Sequence, residues 1–310
     1  MNKLMRKLSI SILAVVFAVV AMGATTFAWF TITNTAKINQ FEVQVTAGSG
    51  FEIAVTKVGG APSAWKSTIT KAEVEAAIGN VVLKDLTSTD GATFYPISEI
   101  GADVGGAGID YTLGSKVTDG YVEFEVHFRS KAQGTVALNM TETDITSTGK
   151  TKVADVAFAE AYTDGDSFTA TSNVLAYAMN AARMAIIESN TLKVILEKKA
   201  ATGNVNGTLD NTRGFGKDHT KGALAYYIAK NQIDITGIDL SGLAEPITQE
   251  FGDTAYTTKI ADIATGPSNE WYTGKITVRI WLEGWDAECL NVIFNDHLKV
   301  NIQFEYTPNP

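Results

Sequence analysis

A single cysteine, Cys289, stands in 310 residues, so no disulfide within the chain braces the fold and a Cys-rich zinc cluster is ruled out. The three histidines, His127, His219 and His297, are far apart. No His-Glu-x-x-His run sets two imidazoles and a base on one helix, so the usual zinc-protease arrangement lacks its ligands. There is no Gly-x-Ser-x-Gly elbow for a serine nucleophile. Gly214-Phe215-Gly216-Lys217-Asp218 misses the spacing of a phosphate-cradling loop. Positive charge is also scarce. With 25 Lys and Arg against 34 Asp and Glu, the net charge is -9, and the basic footprint that nucleic-acid binding requires is missing. No sequence unit recurs at a fixed period, which argues against a solenoid or propeller. The residues therefore offer no catalytic constellation, and the chain is not expected to be an enzyme.

What is present begins with 45% hydrophobic and only 19% charged residues, a composition that can bury a core. Lys3, Arg6 and Lys7 precede an apolar run from Leu8 to Met22, and Thr26-Phe27-Ala28 supplies a small-residue site. That is the layout of a secretory signal spanning residues 1–28, cut after Ala28 by signal peptidase. A retained membrane anchor is the competing reading, because Leu8 to Ala28 is about as long as the roughly 20 residues that cross a bilayer. Cleavage removes three of the 25 positive charges and no negative one, leaving 22 against 34 and a net charge of -12.

The body reads as sheet. Val122, Phe124, Val126 and Phe128 alternate with polar residues, as do Ile276, Val278, Ile280 and Leu282, and Leu298, Val300, Ile302, Phe304 and Tyr306. Period-two alternation predicts strands with one face in a core. Weaker alternation runs through Phe41–Val45, Phe51–Val55 and Val136–Met140, and further strands are expected near Arg183–Glu188 and Leu192–Glu197. Gly48-Ser49-Gly50 suggests a hairpin between the first two. Together these predict an all-β, jelly-roll-like β-sandwich over residues 37–310. Two long intervals, about 57–120 and 198–273, are expected to decorate it as insertions. Each carries a short helix, at Thr70–Ile78, where Thr70 and Glu73 have capping-box spacing, and at Ala223–Ala229.

Few positions suggest chemistry. Asp164-Gly165-Asp166 sets two carboxylates in a loop that is a weak calcium candidate, although the glycine and bidentate glutamate of an EF-hand loop are missing. Gly105–Leu113 begins like a calcium-binding nonapeptide but departs from it at Thr112, and a glycine loop is the better description. His127 falls on the polar face of a strand and reads as a surface histidine. Cys289 reads as a lone buried thiol. Trp281 and Trp285 flank the turn at Leu282-Glu283-Gly284. They are candidate glycan contacts if their rings are exposed, and packing residues if an insertion covers them.

The junction Ala24-Thr25-Thr26-Phe27-Ala28-Trp29-Phe30-Thr31, the strand Tyr121–Ser130 and the segment Ile280–Asn291 resemble exported TasA/camelysin-type proteins with a SipW-dependent-type signal peptide. The resemblance covers the two ends and the central strand, about a third of the chain, and none of it is a catalytic motif. It implies a jelly-roll subunit of an extracellular fibre in a biofilm matrix or cell-surface appendage. It further implies head-to-tail self-assembly by donor-strand exchange, with residues 29–36 as the donated segment and Trp29, Phe30, Thr31, Ile32, Thr33 and Asn34 as its working part. Camelysin-like relatives are described as metalloproteases, but the ligand spacing for that activity is missing here. The expectations are thus a secreted homopolymer with no required cofactor, with cell-wall or matrix polysaccharide as a further partner. A glycan-binding surface module is the alternative.

Overall fold

The computed structural model describes residues 40–79, 81–102, 109–113, 115–153, 158–159, 167–168, 173–198, 249–266, 271–284, 286, 289 and 291–310. The signal segment, residues 29–36, Asp164, Asp166, Trp285, His219 and the helix expected at Ala223–Ala229 lie outside the described residues.

The chain is all-β. Its first strands are β1 (Gln40–Ala47), β2 (Glu52–Thr56) and β3 (Thr68–Ile69), followed by the helix α1 (Lys71–Ile78). Next come β4 (Asp85–Thr87), β5 (Tyr95–Ala102), β6 (Ile109–Leu113), β7 (Val122–Ser130), β8 (Gly134–Leu138) and β9 (Asp144–Ser147). Two separate strand pairs follow, β10 (Lys150–Val153) with β13 (Asn173–Ala176) and β11 (Phe158–Ala159) with β12 (Ser167–Phe168). After the one-turn helix α2 (Ala178–Ala181) come β14 (Ala182–Glu188), β15 (Thr191–Glu197), β16 (Gln249–Glu250), β17 (Lys259–Ile263), β18 (Tyr272–Glu283) and β19 (His297–Pro308).

Two sheets carry the fold. The smaller has six strands in the order β17-β8-β19-β1-β3, with β9 also on β19. The larger has nine; β18 lies between β14 and β7, β2 lies outside β7, and β4-β5-β6 continue from the far end of β18. The alternation seen in sequence explains why the sheets face each other. Phe124, Val126 and Phe128 of β7 and Ile276, Val278 and Ile280 of β18 meet Leu298, Val300, Ile302 and Phe304 of β19 in one core. Phe128 and Phe304 touch across the gap edge to face, 5.0 Å between centroids, a geometry worth roughly 0.5–1.5 kcal/mol beyond burial. Where the sheets close on each other the backbones nearly touch, and a Cβ added at Gly274 of β18 would lie 2.1 Å from the Asp262 carbonyl of β17.

Helix α1 forms where the capping-box spacing predicts it. The Glu73 carboxylate accepts from the Thr70 N–H at 2.9 Å and from its hydroxyl at 2.8 Å, and Val74 is buried beneath the helix.

Three expectations change. The first two strands form no hairpin: β1 joins the smaller sheet beside β19 and β2 joins the larger beside β7. Gly48 still donates to Phe304 of β19, and Gly50, at φ +91, turns the chain across the sandwich. The intervals expected as insertions supply sheet members, since β3 pairs with β1, β4 with β18 and β17 with β8. Part of the first interval does cover the sandwich. Leu86 and Phe94 pack with Ala185, Ile195 and Trp281 in a second, smaller core on the outer face of the larger sheet, with Val117 and Tyr121 against it. Finally, Ile109–Leu113 is the strand β6 rather than a loop.

Candidate functional site

The edge of the smaller sheet is the first candidate. β1 pairs in parallel with β19 along its whole length, from Gln40 opposite His297 to Ala47 opposite Phe304. On its other side β3 reaches only Val45 and Thr46, with one further bond from the Ala47 N–H to Ser67, before the chain turns into α1 at Thr70. Among the described residues, no strand pairs with Gln40–Gln44 on that side. A strand edge of this kind is a template for another chain.

Trp281 is the one described residue of the candidate glycan pair, and it is fully buried. Phe94 meets it edge on at 5.3 Å, and its indole N–H donates to Glu283 at 3.1 Å. Its ring offers no face to a sugar. The turn of alternation that sets Trp281 on the outer face of β18 is the one inferred from sequence; the cover that Leu86, Phe94 and Tyr121 place over that face decides its role.

Next to Trp281 lies a buried ionic knot. Arg183 of β14 has Trp281 and Glu197 as its cross-strand neighbours. Its Nη2 lies 2.6 Å from Asp286 and 2.7 Å from Glu197, while Nη1 donates to the carbonyls of Asn180 and Ala182. Burial disfavours the guanidinium charge, but Glu197, Asp286 and Glu283 outweigh it and hold the group firmly protonated. Nothing in the local sequence around position 183 marks this knot, because its partners are 14 and 103 residues away in sequence.

The outer face of β7 holds more buried polar groups. His127 is only 8% exposed, which corrects its reading as a surface histidine. It sits in mid-sheet between β2 and β18, with Thr56 Oγ1 at 2.9 Å and Glu125 at 3.3 Å from Nε2, and Lys275 on Glu125 at 2.7 Å. Burial pushes the imidazole pKa down, Glu125 opposes this, and Lys275 adds to it. Hydroxyl and carboxylate meet the same ring nitrogen, so the trio cannot relay a proton from one through the ring to the other as a nucleophilic triad does. Cys289 is free and buried, as expected. Burial, then the negative fields of Asp85, Asp286 and Glu283, push its thiol pKa well up.

At the opposite end of the same face, two tryptophans that the sequence did not single out come together. Arg129, at the end of β7, lies 4.6 Å from the ring centre of Trp65 and 4.3 Å from that of Trp271, and the Lys131 ammonium lies 4.0 Å from Trp271. Glu52, across from Arg129 on β2, takes its Nε at 2.6 Å and its Nη2 at 2.5 Å. Both indoles are half-buried and Lys131 is exposed. The partners come from three separate stretches of the sequence, and the pairing of β7 with β18 and with β2, to which Lys66 is bridged at Ile53, brings them together.

Among the described residues, no group of three or more His, Cys, Asp or Glu side chains is arranged to hold a metal ion, and no helix is long and apolar enough to cross a membrane. No family model, no curated protein and no solved structure matches the chain.

Proposed function

We propose that this chain is a secreted structural subunit that polymerises head to tail into an extracellular fibre of a biofilm matrix or cell-surface appendage, with a jelly-roll body. In this reading the signal segment is removed at export, and Trp29–Asn34 of one subunit adds a strand to a sheet of the next. The observation that carries it is the edge of β1, where Gln40–Gln44 have a strand partner on one side only among the described residues. Their outward N–H and C=O groups would gain main-chain bonds from an incoming strand, and the alternate side chains of Trp29-Phe30-Thr31-Ile32-Thr33 would set its register. The donor leads into β1 itself, so each subunit that accepts a strand also extends one. Such a contact does not close on itself and therefore propagates. The resemblance of the Ala24–Thr31 junction to TasA/camelysin-type proteins points the same way.

The test is electron microscopy and sedimentation of the purified mature protein beside a variant lacking residues 29–34. Filaments are expected from the first, and a monomer with an unchanged circular dichroism spectrum from the second. A deletion variant that polymerises normally would show that strand donation is wrong.

A further inference from the structure

The ladder formed by Trp65, Arg129, Trp271 and Lys131 has two unlike ends. Its interior is already satisfied. Arg129 touches both indoles, and its charge is matched by Glu52, with Nε and Nη2 both on that carboxylate. That pairing fixes the guanidinium plane and, through it, the two rings. Lys66, next to Trp65, is likewise paired with Glu73.

The ends are different. Among the described residues, no second ring or cation stacks on Trp65, and no carboxylate lies within ion-pair distance of Lys131. The Lys131 ammonium is exposed and held over the Trp271 face. Among the described residues nothing neutralises its charge, on a chain whose net charge is -9. An indole plate suits the C–H face of a ring that carries polar groups around its rim. An ammonium over an aromatic face keeps its charge while losing part of its water, so an added anion finds it partly desolvated. A ligand matching both ends must be extended, because the two central residues of the ladder separate them. It must also combine rings that present an apolar C–H face with negative charge.

We propose that this ladder binds an acidic polysaccharide, with Trp65 stacked on a sugar ring and Lys131 paired with a uronate carboxylate. A neutral glycan would leave the charge of Lys131 unmatched, and a chain of acidic side chains without rings would leave the indole plate bare. The inference does not depend on fibre formation, and it locates glycan recognition at residues other than Trp281 and Trp285.

Affinity electrophoresis of the full mature chain through gels containing polygalacturonate, dextran or polyglutamate tests it. Retardation by polygalacturonate alone is expected. Lys131→Glu should lower that affinity at least tenfold, and Trp65→Ala should weaken it while its far-ultraviolet circular dichroism stays unchanged. Lys131 is exposed, so its variant keeps the assay decisive if Trp65→Ala misfolds. Absence of retardation by polygalacturonate, or retardation undiminished in Lys131→Glu, would overturn the proposal. Equal retardation by polyglutamate would reduce the site to a patch of charge, and equal retardation by dextran would reduce it to a neutral-sugar platform; either result overturns it.

Discussion

The indole N–H of Trp281 donates to the carboxylate of Glu283, two residues further along the same strand and 3.1 Å away, and both side chains are fully buried. A buried carboxylate depends on such donors, since losing one leaves its desolvation unrelieved. Trp281→Phe keeps most of the ring and removes the donor. It is expected to lower stability by about 1–3 kcal/mol, read as a shift in the urea midpoint at unchanged slope. Trp281→Ala also empties the second core and should cost roughly 3–5 kcal/mol.

Arg183 gives a sharper version of the same argument. Arg183→Met takes the cation from buried Asp286 and half-buried Glu197, and a loss of about 3–5 kcal/mol is expected. Pairing it with Asp286→Leu removes one of the stranded charges and should recover part of that loss. A double variant no more stable than the single one would mean that the ionic knot is not the origin of the effect.

His127 makes stability depend on pH in a defined direction. Its folded-state pKa lies below the ordinary 6.5, so the unfolded chain binds the proton more readily. The contribution is complete above pH 6.5 and is lost as the pH falls below that value. Among the groups facing it, Glu125 opposes the shift while Lys275 and burial drive it. Denaturation curves at pH 7 and pH 5 should show the wild type losing more stability than His127→Gln, by less than about 1.4 kcal/mol per pH unit. Equal losses in the two proteins would remove His127 from the account.

Cys289 should be inert while the fold holds. Its thiol is buried and its pKa is raised, and the thiolate is the species that alkylating agents attack. Iodoacetamide at pH 8 is expected to leave the native protein unmodified over a time in which it fully modifies the protein in urea, measured by mass spectrometry. Rapid native labelling would show that the region around residue 289 opens.

The parts of this fold that were legible were those set by local pattern. β7, β18 and β19 announce themselves because one face of each is an unbroken apolar series, and α1 because Thr70 and Glu73 sit three residues apart. The opposite faces misled. Glu123, Glu125, His127 and Arg129 look like a solvated row, yet Glu125 and His127 are buried, since the flanking β2 and β18 supply Thr56 and Lys275 to meet them. Polarity in sequence says that a residue needs a partner; it does not say whether the partner is water. The same limit hid the ladder, whose members come from the segment before β3, the end of β7 and the start of β18. Short strands such as β3, β4 and β16, of two or three residues, are too brief for any period to register. The edge of β1 was visible only as a strand. That it lies beside the chain's last strand is a matter of topology.

That topology has a consequence in time. The first described strand and the last are partners over eight residues, so the longest loop in the molecule must close before β1 acquires its principal neighbour. Contacts of such wide separation are slow to form. A chain emerging from its N-terminus could give β1 only the brief pairing of Val45 and Thr46 with β3 until nearly every other residue had followed, and arrival of His297–Pro308 would seat its full length. Truncation by a dozen residues at the C-terminus would therefore leave the opening strand, at the other end of the sequence, with little beyond its short contact to β3.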